Sequence, residues 1–221
     1  VATVIFFTPH QDDETLAMGP SVRRHLEAGH DVHVVLMTNG VNSAVRPSTG
    51  LSPTDFIAAR DDEMFRASRQ LGVRTANTHV SALRVDDGTL TVDEAEAIMT
   101  EYFTAYPGAW CKSYSNLPAT GRHVDHVTAG QAAVNLYKSG VVTNLRLYVE
   151  PWLQSAFHTA NPTVGLMAER GANPPSAAVL RAFDEYKLVD TVGGKYGIGY
   201  KSVGAEFDAA RPDPVSYYHV P

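Results

Sequence analysis

The chain has one cysteine, Cys111, in 221 residues. A single thiol makes neither an intrachain disulfide nor a thiolate-cluster metal site. Inside an expected strand it reads as an inert buried thiol. Positive charge is also scarce: 18 Lys and Arg stand against 24 Asp and Glu, a formal charge of −6. Nucleic-acid binders carry a basic stripe, so no nucleic-acid partner is expected. No apolar run approaches the roughly 20 residues that span a bilayer, so no membrane span is expected. Internal repeats and low-complexity segments are missing too. A hydrophobic fraction of 44% excludes disorder as the main state. The length suits one domain, or at most two small ones. Val1 is preceded by no initiator Met and followed by no signal-peptide pattern. The compartment is therefore open between the cytoplasm and a processed secreted form. Zinc-type chemistry is not excluded by the lack of thiols, because nine His remain and His is the commonest metal ligand.

What is present is an alternation of short apolar strands and longer amphipathic helices. Val1 to Thr8 is nearly all apolar, as for a strand buried on both faces. A helix is expected over 15–28, stopped by Gly29, and a strand over 31–37. Pro47 and Pro53 punctuate a loop before a helix over about 54–71 that Gly72 closes. Strands are expected over 75–83, 109–114 and 144–150, with helices over 92–106 and about 125–138. Strands joined by helices of this length require parallel crossovers, hence a three-layer α/β domain with a mostly parallel sheet. After Pro151 the periodicity loosens, and only one helix, over 176–187, is expected. Residues 151–221 read as a tail packed on the same domain, its segment 151–175 forming a rim of the site.

Ligands of such sheets bind at the carboxyl ends of the strands. The first strand ends in His10-Gln11-Asp12-Asp13-Glu14, one His and three carboxylates in five residues. Carboxylates so close repel, and a bound cation relieves them. His10 and Asp13, three apart, can curl onto one cation across a strand-to-helix turn, a donor pair that suits zinc or another divalent metal. Asp12 can then take a proton from a water on that metal. The plainer alternative makes Asp12 or Asp13 a helix N-cap and Glu14 a first-turn charge. The second cluster, His123-Val124-Asp125-His126, falls after the fourth strand on the same sheet edge. With His126 as third ligand the metal keeps an open position. His123 would be free to donate to a substrate, and Asp125 to orient a His. Here the alternative is a capping Asp125 between two surface His.

Pro9-His10-Gln11-Asp12-Asp13-Glu14 followed by His123-Val124-Asp125-His126 resembles the LmbE/PIG-L family of zinc-dependent N-deacetylases. Those proteins show Pro-His-Pro-Asp-Asp-Glu and His-Pro-Asp-His. Thr38-Asn39-Gly40, Arg60-x-x-Glu63 and Leu71-Gly72 add to the likeness, which covers roughly residues 3–150. The resemblance implies a Rossmann-like fold and removal of an acetyl group from an N-acetylated amino sugar or glycoconjugate through a metal-activated water, releasing acetate. It implies zinc, or another divalent metal, on His10, Asp13 and His126. Asp12 would be the general base, His123 the oxyanion or leaving-group partner, and Asp125 its support. Gln11 and Val124 stand where the family has prolines. Gly121 stands where some members place a carbonyl-polarising tyrosine.

By position at the loop edge, Gln11, Asn39, Arg60 and Arg122 are candidate substrate contacts, with Asn42 beside them. From the rim His158 is a candidate, and Trp152 and Phe157 could stack on a sugar, though core packing is the plainer reading of both. His25, His30 and His33 are expected at surface or interface positions, and His79 as a hydrogen-bonded core or edge residue. A second class of function stays open: a non-catalytic sugar-binding or regulatory α/β module of the same fold. A dinucleotide site is excluded by acids where a Gly-rich turn should stand. Oligomeric state is not legible.

Overall fold

A computed structural model describes residues 1–171 and 176–221. Strand β1 (Thr3–Thr8) leads through a short helix α1 (Asp13–Leu16) and α2 (Gly19–Glu27) to β2 (Asp31–Thr38). Helices α3 (Arg46–Thr49) and α4 (Pro53–Leu71) precede β3 (Thr78–Val85), followed by α5 (Val92–Ala105), β4 (Trp110–Tyr114), α6 (Val124–Lys138) and β5 (Leu145–Val149). The rest comprises α7 (Gln154–Ala160), β6 (Met167–Glu169), α8 (Ala177–Lys187), β7 (Val189–Asp190), β8 (Lys195–Tyr196), α9 (Ile198–Ala210) and β9 (Ser216–His219).

Seven strands form one sheet in the order β3-β2-β1-β4-β5-β9-β6, with β7 and β8 as a separate hairpin. β1 to β5 run parallel, β9 pairs antiparallel with β5, and the edge strand β6 pairs antiparallel with β9. The expected mostly parallel three-layer fold is present. β1 is apolar throughout because both its faces are covered. Val4 and Phe6 enter the core shared with α2, α4, α8 and α9, whereas Ile5 and Phe7 enter the one shared with α5 and α6. The strand order reverses direction beside β1, between β1 and β4, which is where a crevice opens at the carboxyl ends.

Local chemistry sets most element ends. Ser52 caps α4 through the Asp55 N–H, Pro53 starts it, and Gly72 ends it in a left-handed conformation. Thr91 and Glu94 make a reciprocal capping box on α5. Tertiary contacts override the sequence in three places. The helix expected over 15–28 is broken at Ala17-Met18 into α1 and α2, both residues fully buried in the core. His25 and His33, expected at surface or interface positions, are buried inside the fold. His25 turns its ring onto Phe6 and Trp110, and His33 packs against His79 and Tyr106. Burial, with Lys112 and Arg146 nearby, pushes His25 down to about 3, so it packs as a neutral ring. The tail is more than a packing appendage, since it supplies β6 and β9 of the main sheet. Of the expected rim 151–175, positions 172–175 lie outside the described residues. Among the described residues no helix is long and apolar enough to cross a membrane.

Candidate active site

The turn between β1 and α1 brings the first cluster to the crevice. Asp12 adopts φ 136°, ψ −24°, where no other non-glycine residue of the described chain has a positive φ. Such a backbone costs about 1–3 kcal/mol and persists where its surroundings hold it. Here Glu14 Oε2 accepts from the Asp12 N–H at 3.1 Å, and Arg60 Nη2 donates to Asp12 Oδ2 at 3.3 Å and to the Gln11 carbonyl at 3.0 Å. Gln11 Nε2 ties the turn to the Asn39 carbonyl and to Asp61. Asp13 Oδ2 accepts from the His10 N–H at 2.7 Å.

The second cluster is brought in by α6. Gly130 lets that helix lie on the end of β4: a Cβ there would fall 2.4 Å from the Tyr114 carbonyl oxygen. His123 is the N-cap of α6, its Nδ1 accepting from the Asp125 N–H at 3.2 Å. The neutral ring then carries its proton on Nε2. Burial, with His10 and His126 close by, holds His123 below the usual imidazole range.

The two clusters meet. His10 Nδ1 lies 3.1 Å from His126 Nε2, Asp13 Oδ2 lies 3.5 Å from His10 Nδ1, and Asp13 Oδ1 lies 3.3 Å from His126 Nε2. Each imidazole has a carboxylate on its other nitrogen: Asp125 Oδ2 at 3.0 Å from His10 Nε2, and Glu150 Oε1 at 2.6 Å from His126 Nδ1. Asp125 and Glu150 are both held below the usual range although burial opposes it, chiefly by these imidazoles, with the Gly88 N–H also donating to Asp125. Ionised carboxylates only accept, so they draw the ring protons outward and leave His10 Nδ1 and His126 Nε2 as inward lone pairs. A cation is needed between two lone pairs and a carboxylate. Without metal it is a proton: burial opposes charge on His126, yet Asp13 and Glu150 raise it to about 10. Burial also opposes ionisation of Asp13, but His126 and His10 hold it well below the usual range. Two imidazoles and one carboxylate with outer carboxylate partners fit a divalent metal such as zinc. His10, His123 and Asp125 also cluster, but in that set Asp125 is spent on His10 and the Gly88 N–H.

Two residues here were not picked out by sequence. Tyr114, the last residue of β4, donates to Asp13 Oδ1 at 2.7 Å and stacks on His126 with ring centroids 3.9 Å apart. Glu150 follows β5. Both stand at the carboxyl ends of parallel strands on one side of the reversal point, and that position is the signal the sequence offers for them. Conversely, several expected substrate contacts are occupied elsewhere. Arg122 is 1% exposed in its side chain, donating to Glu150 Oε2 and to the Ser115 and Leu117 carbonyls. Gln11 is fully buried. Asn39 donates to Asp86, and Asn42 bonds Asp87. Arg60 borders an outer cavity with Asn42 and Asp87, its guanidinium engaged with Asp12. Phe157 is core, His158 is exposed, and Trp152 reaches the pocket. That pocket, about 200 Å³, is lined by His10, Asp12, Asp13, His123 and His126, with Gly121 and Leu153 at its wall.

The fold thus sets a carboxylate-backed His2Asp cluster, a donor set that fits a divalent metal, at the reversal point where such sheets bind ligands. The family described as PIG-L, GlcNAc-PI de-N-acetylase, matches residues 5–137. The chain belongs to this family, and membership supports a deacetylase. Among solved structures, the zinc-inhibited form of teicoplanin deacetylase Orf2 is similar at TM-score 0.69 and 15% identity, over 98% of this chain and 97% of that one. N,N'-diacetylchitobiose deacetylase from Pyrococcus horikoshii, complexed with its inhibitor, aligns at TM-score 0.65 and 17% identity, over 99% and 82%. The 4-carboxy-2-hydroxymuconate hydratase GalB from Pseudomonas putida aligns at TM-score 0.63 and 13% identity, over 99% and 95%. At these identities the likeness is one of fold, and fold does not assign chemistry. A glucosamine-6-phosphate deaminase-like protein of Bacteroides thetaiotaomicron is 46% identical over 37 residues, which is 17% of this chain and 6% of that relative.

Proposed function

We propose that the protein removes an N-acetyl group from an amino-sugar-like substrate, with a divalent metal, zinc by its donor set, on His10, Asp13 and His126. The observation that carries this reading is the convergence of two carboxylate-backed imidazoles and Asp13 beside Asp12 in an open pocket. When bound, the metal supplies Lewis acidity at that point. Asp12 is the base that takes a proton from the attacking water. Burial raises its carboxyl well above the usual range, which strengthens it as a base, while Arg60 opposes the shift and keeps the ionised form accessible. His123, neutral with its proton on Nε2, donates to the carbonyl oxygen as negative charge develops there. Such donors contribute about 3–4 kcal/mol. Asp125 and Glu150 hold the two ligand rings in place. The proton taken by Asp12 passes to the nitrogen as the C–N bond breaks, so amide and water become acetate and amine. Family membership and the deacetylases among the structural neighbours support the same reading.

The test is metal content and acetate release from N-acetylglucosamine derivatives, compared across variants. Asp12→Asn retains metal and loses about 10²–10⁴ in kcat. Asp13→Ala loses both metal and activity. Full activity in metal-stripped Asp13→Ala overturns the proposal.

A further inference from the structure

The pocket continues beyond the ligand cluster. Trp152 and Glu206 line it, and the same two residues line a second cavity of about 210 Å³ with Tyr217 and Asp213. The cavities therefore share a boundary. Trp152 follows Glu150 by two residues in a 3-10 turn (Pro151–Leu153), so one chain segment carries both a partner of His126 and this wall. Glu206 comes from α9 and Tyr217 from β9, both contributed by the tail.

The chemical character of this extension is one-sided. No Lys or Arg lines either cavity among the described residues. Arg122, the nearest candidate by sequence, is turned onto Glu150. Asp213 is neutralised by a two-pronged pair with Arg170, at 2.9 and 2.7 Å. Glu206 is half-buried, and its carboxylate has no hydrogen bond or ion pair among the described residues. A carboxylate partly removed from water with no partner is stabilised by an incoming cation or hydroxyl donor and repels an anion. Trp152 and Tyr217 offer flat, amphipathic surface of the kind that covers a ring with one apolar face.

We infer that the second cavity is a subsite for the sugar next to the acetylated one, and that it selects a cationic amino sugar. Trp152 and Tyr217 contact its ring, and Glu206 accepts from its ammonium group. The substrate class is then a partly deacetylated amino-sugar oligomer or an equivalent cationic glycoconjugate, and phosphorylated substrates are disfavoured. The inference rests on the deacetylase reading for the acetylated unit, but the cationic subsite can be measured without turnover.

Turnover uses the metal-loaded wild type, and calorimetry uses metal-loaded Asp12→Asn, which binds the acetylated disaccharide without consuming it. Calorimetry compares the β-1,4-linked glucosamine disaccharide with its neutral N,N'-diacetyl form. With Glu206 intact the cationic form binds more tightly, and that preference falls with added salt. Glu206→Gln reduces the preference about tenfold, the low end expected for a charged hydrogen bond. Glu206→Lys reverses it and admits N-acetylglucosamine 6-phosphate. In turnover, wild type has a higher kcat/KM for the singly deacetylated disaccharide than for the 6-phosphate. A preference unchanged in both Glu206 variants overturns the inference, as does a wild-type kcat/KM that favours the phosphate. A preference that responds to Glu206, with no acetate released from any substrate, leaves the subsite standing and overturns the deacetylase reading instead.

Discussion

Glu150→Gln removes one charge and leaves the shape of the side chain unchanged. The carboxylate is 1% exposed and accepts two hydrogen bonds, from His126 Nδ1 at 2.6 Å and from Arg122 Nε at 2.9 Å. An amide has one accepting oxygen. Turned toward Arg122, it presents its NH2 to His126 Nδ1, and two donors then face each other. His126 relieves this by moving its proton to Nε2, the atom 3.3 Å from Asp13 Oδ1 and 3.1 Å from His10 Nδ1. The lone pair a metal needs is lost. Loss of such an outer partner costs 10–100-fold in metal affinity, about 1.4–2.7 kcal/mol. At a fixed excess of metal the metal-dependent stabilisation falls by the same amount. The metal-free protein is also destabilised by about 3 kcal/mol, the low end for a broken buried pair, because Arg122 keeps its two carbonyl acceptors. Zinc affinity is read by competition with a chromophoric chelator, and stability by urea denaturation with and without zinc. A zinc affinity within twofold of wild type, alongside the loss of metal-free stability, refutes the assignment of His126 Nε2 as a ligand atom.

Gly130→Ala destabilises the protein by about 1–3 kcal/mol, because a Cβ there meets the backbone of Tyr114 to Asn116. Urea denaturation checks this, and the same shift of α6 lowers zinc affinity. Lys112 gives stability a pH dependence above neutrality. It is fully buried, with its ammonium 3.1 Å from Asn144 Oδ1. Burial, with Arg146 adding repulsion, pushes it down to about 7. The unfolded chain, with Lys near 10.4, binds the extra proton between those values. The contribution of Lys112 to stability therefore rises with pH from about 7 to 10, by roughly 3 kcal/mol. Comparing urea midpoints of wild type and Lys112→Met across that range isolates the effect; parallel profiles rule it out.

How much was legible depended on whether a residue acts through its neighbours in sequence. The start of α5 at Val92 and the Gly72 stop of α4 are local, and they stand where the pattern puts them. The broken first helix is not local. Its break at Ala17-Met18 is set by burial against distant elements of the core, which no 3.6-residue period reports. The burial of His25 and His33 is not local either, since a His beside polar neighbours looks exposed until a sheet is laid against it. Arg122 and Gln11 belong to the two His and Asp clusters in sequence, yet both are engaged in holding the turns around them together. Glu150, 24 residues from His126, belongs to no motif, and only the fold brings the two together.

By itself the sequence determined the alternating fold, the two short clusters at the ends of the first and fourth strands, and the family, because strand periodicity and clustered acids are properties of contiguous residues. Only the tertiary structure decided which atoms face one another. It joined His10 to His126 across 116 positions, put a carboxylate behind each ring, turned Arg122 away from the pocket, and set Trp152 and Glu206 at the mouth of a second cavity. The physical reason is that charge and desolvation act through space. The partners that set a buried group's protonation and orientation are those the fold packs against it, whatever their separation along the chain.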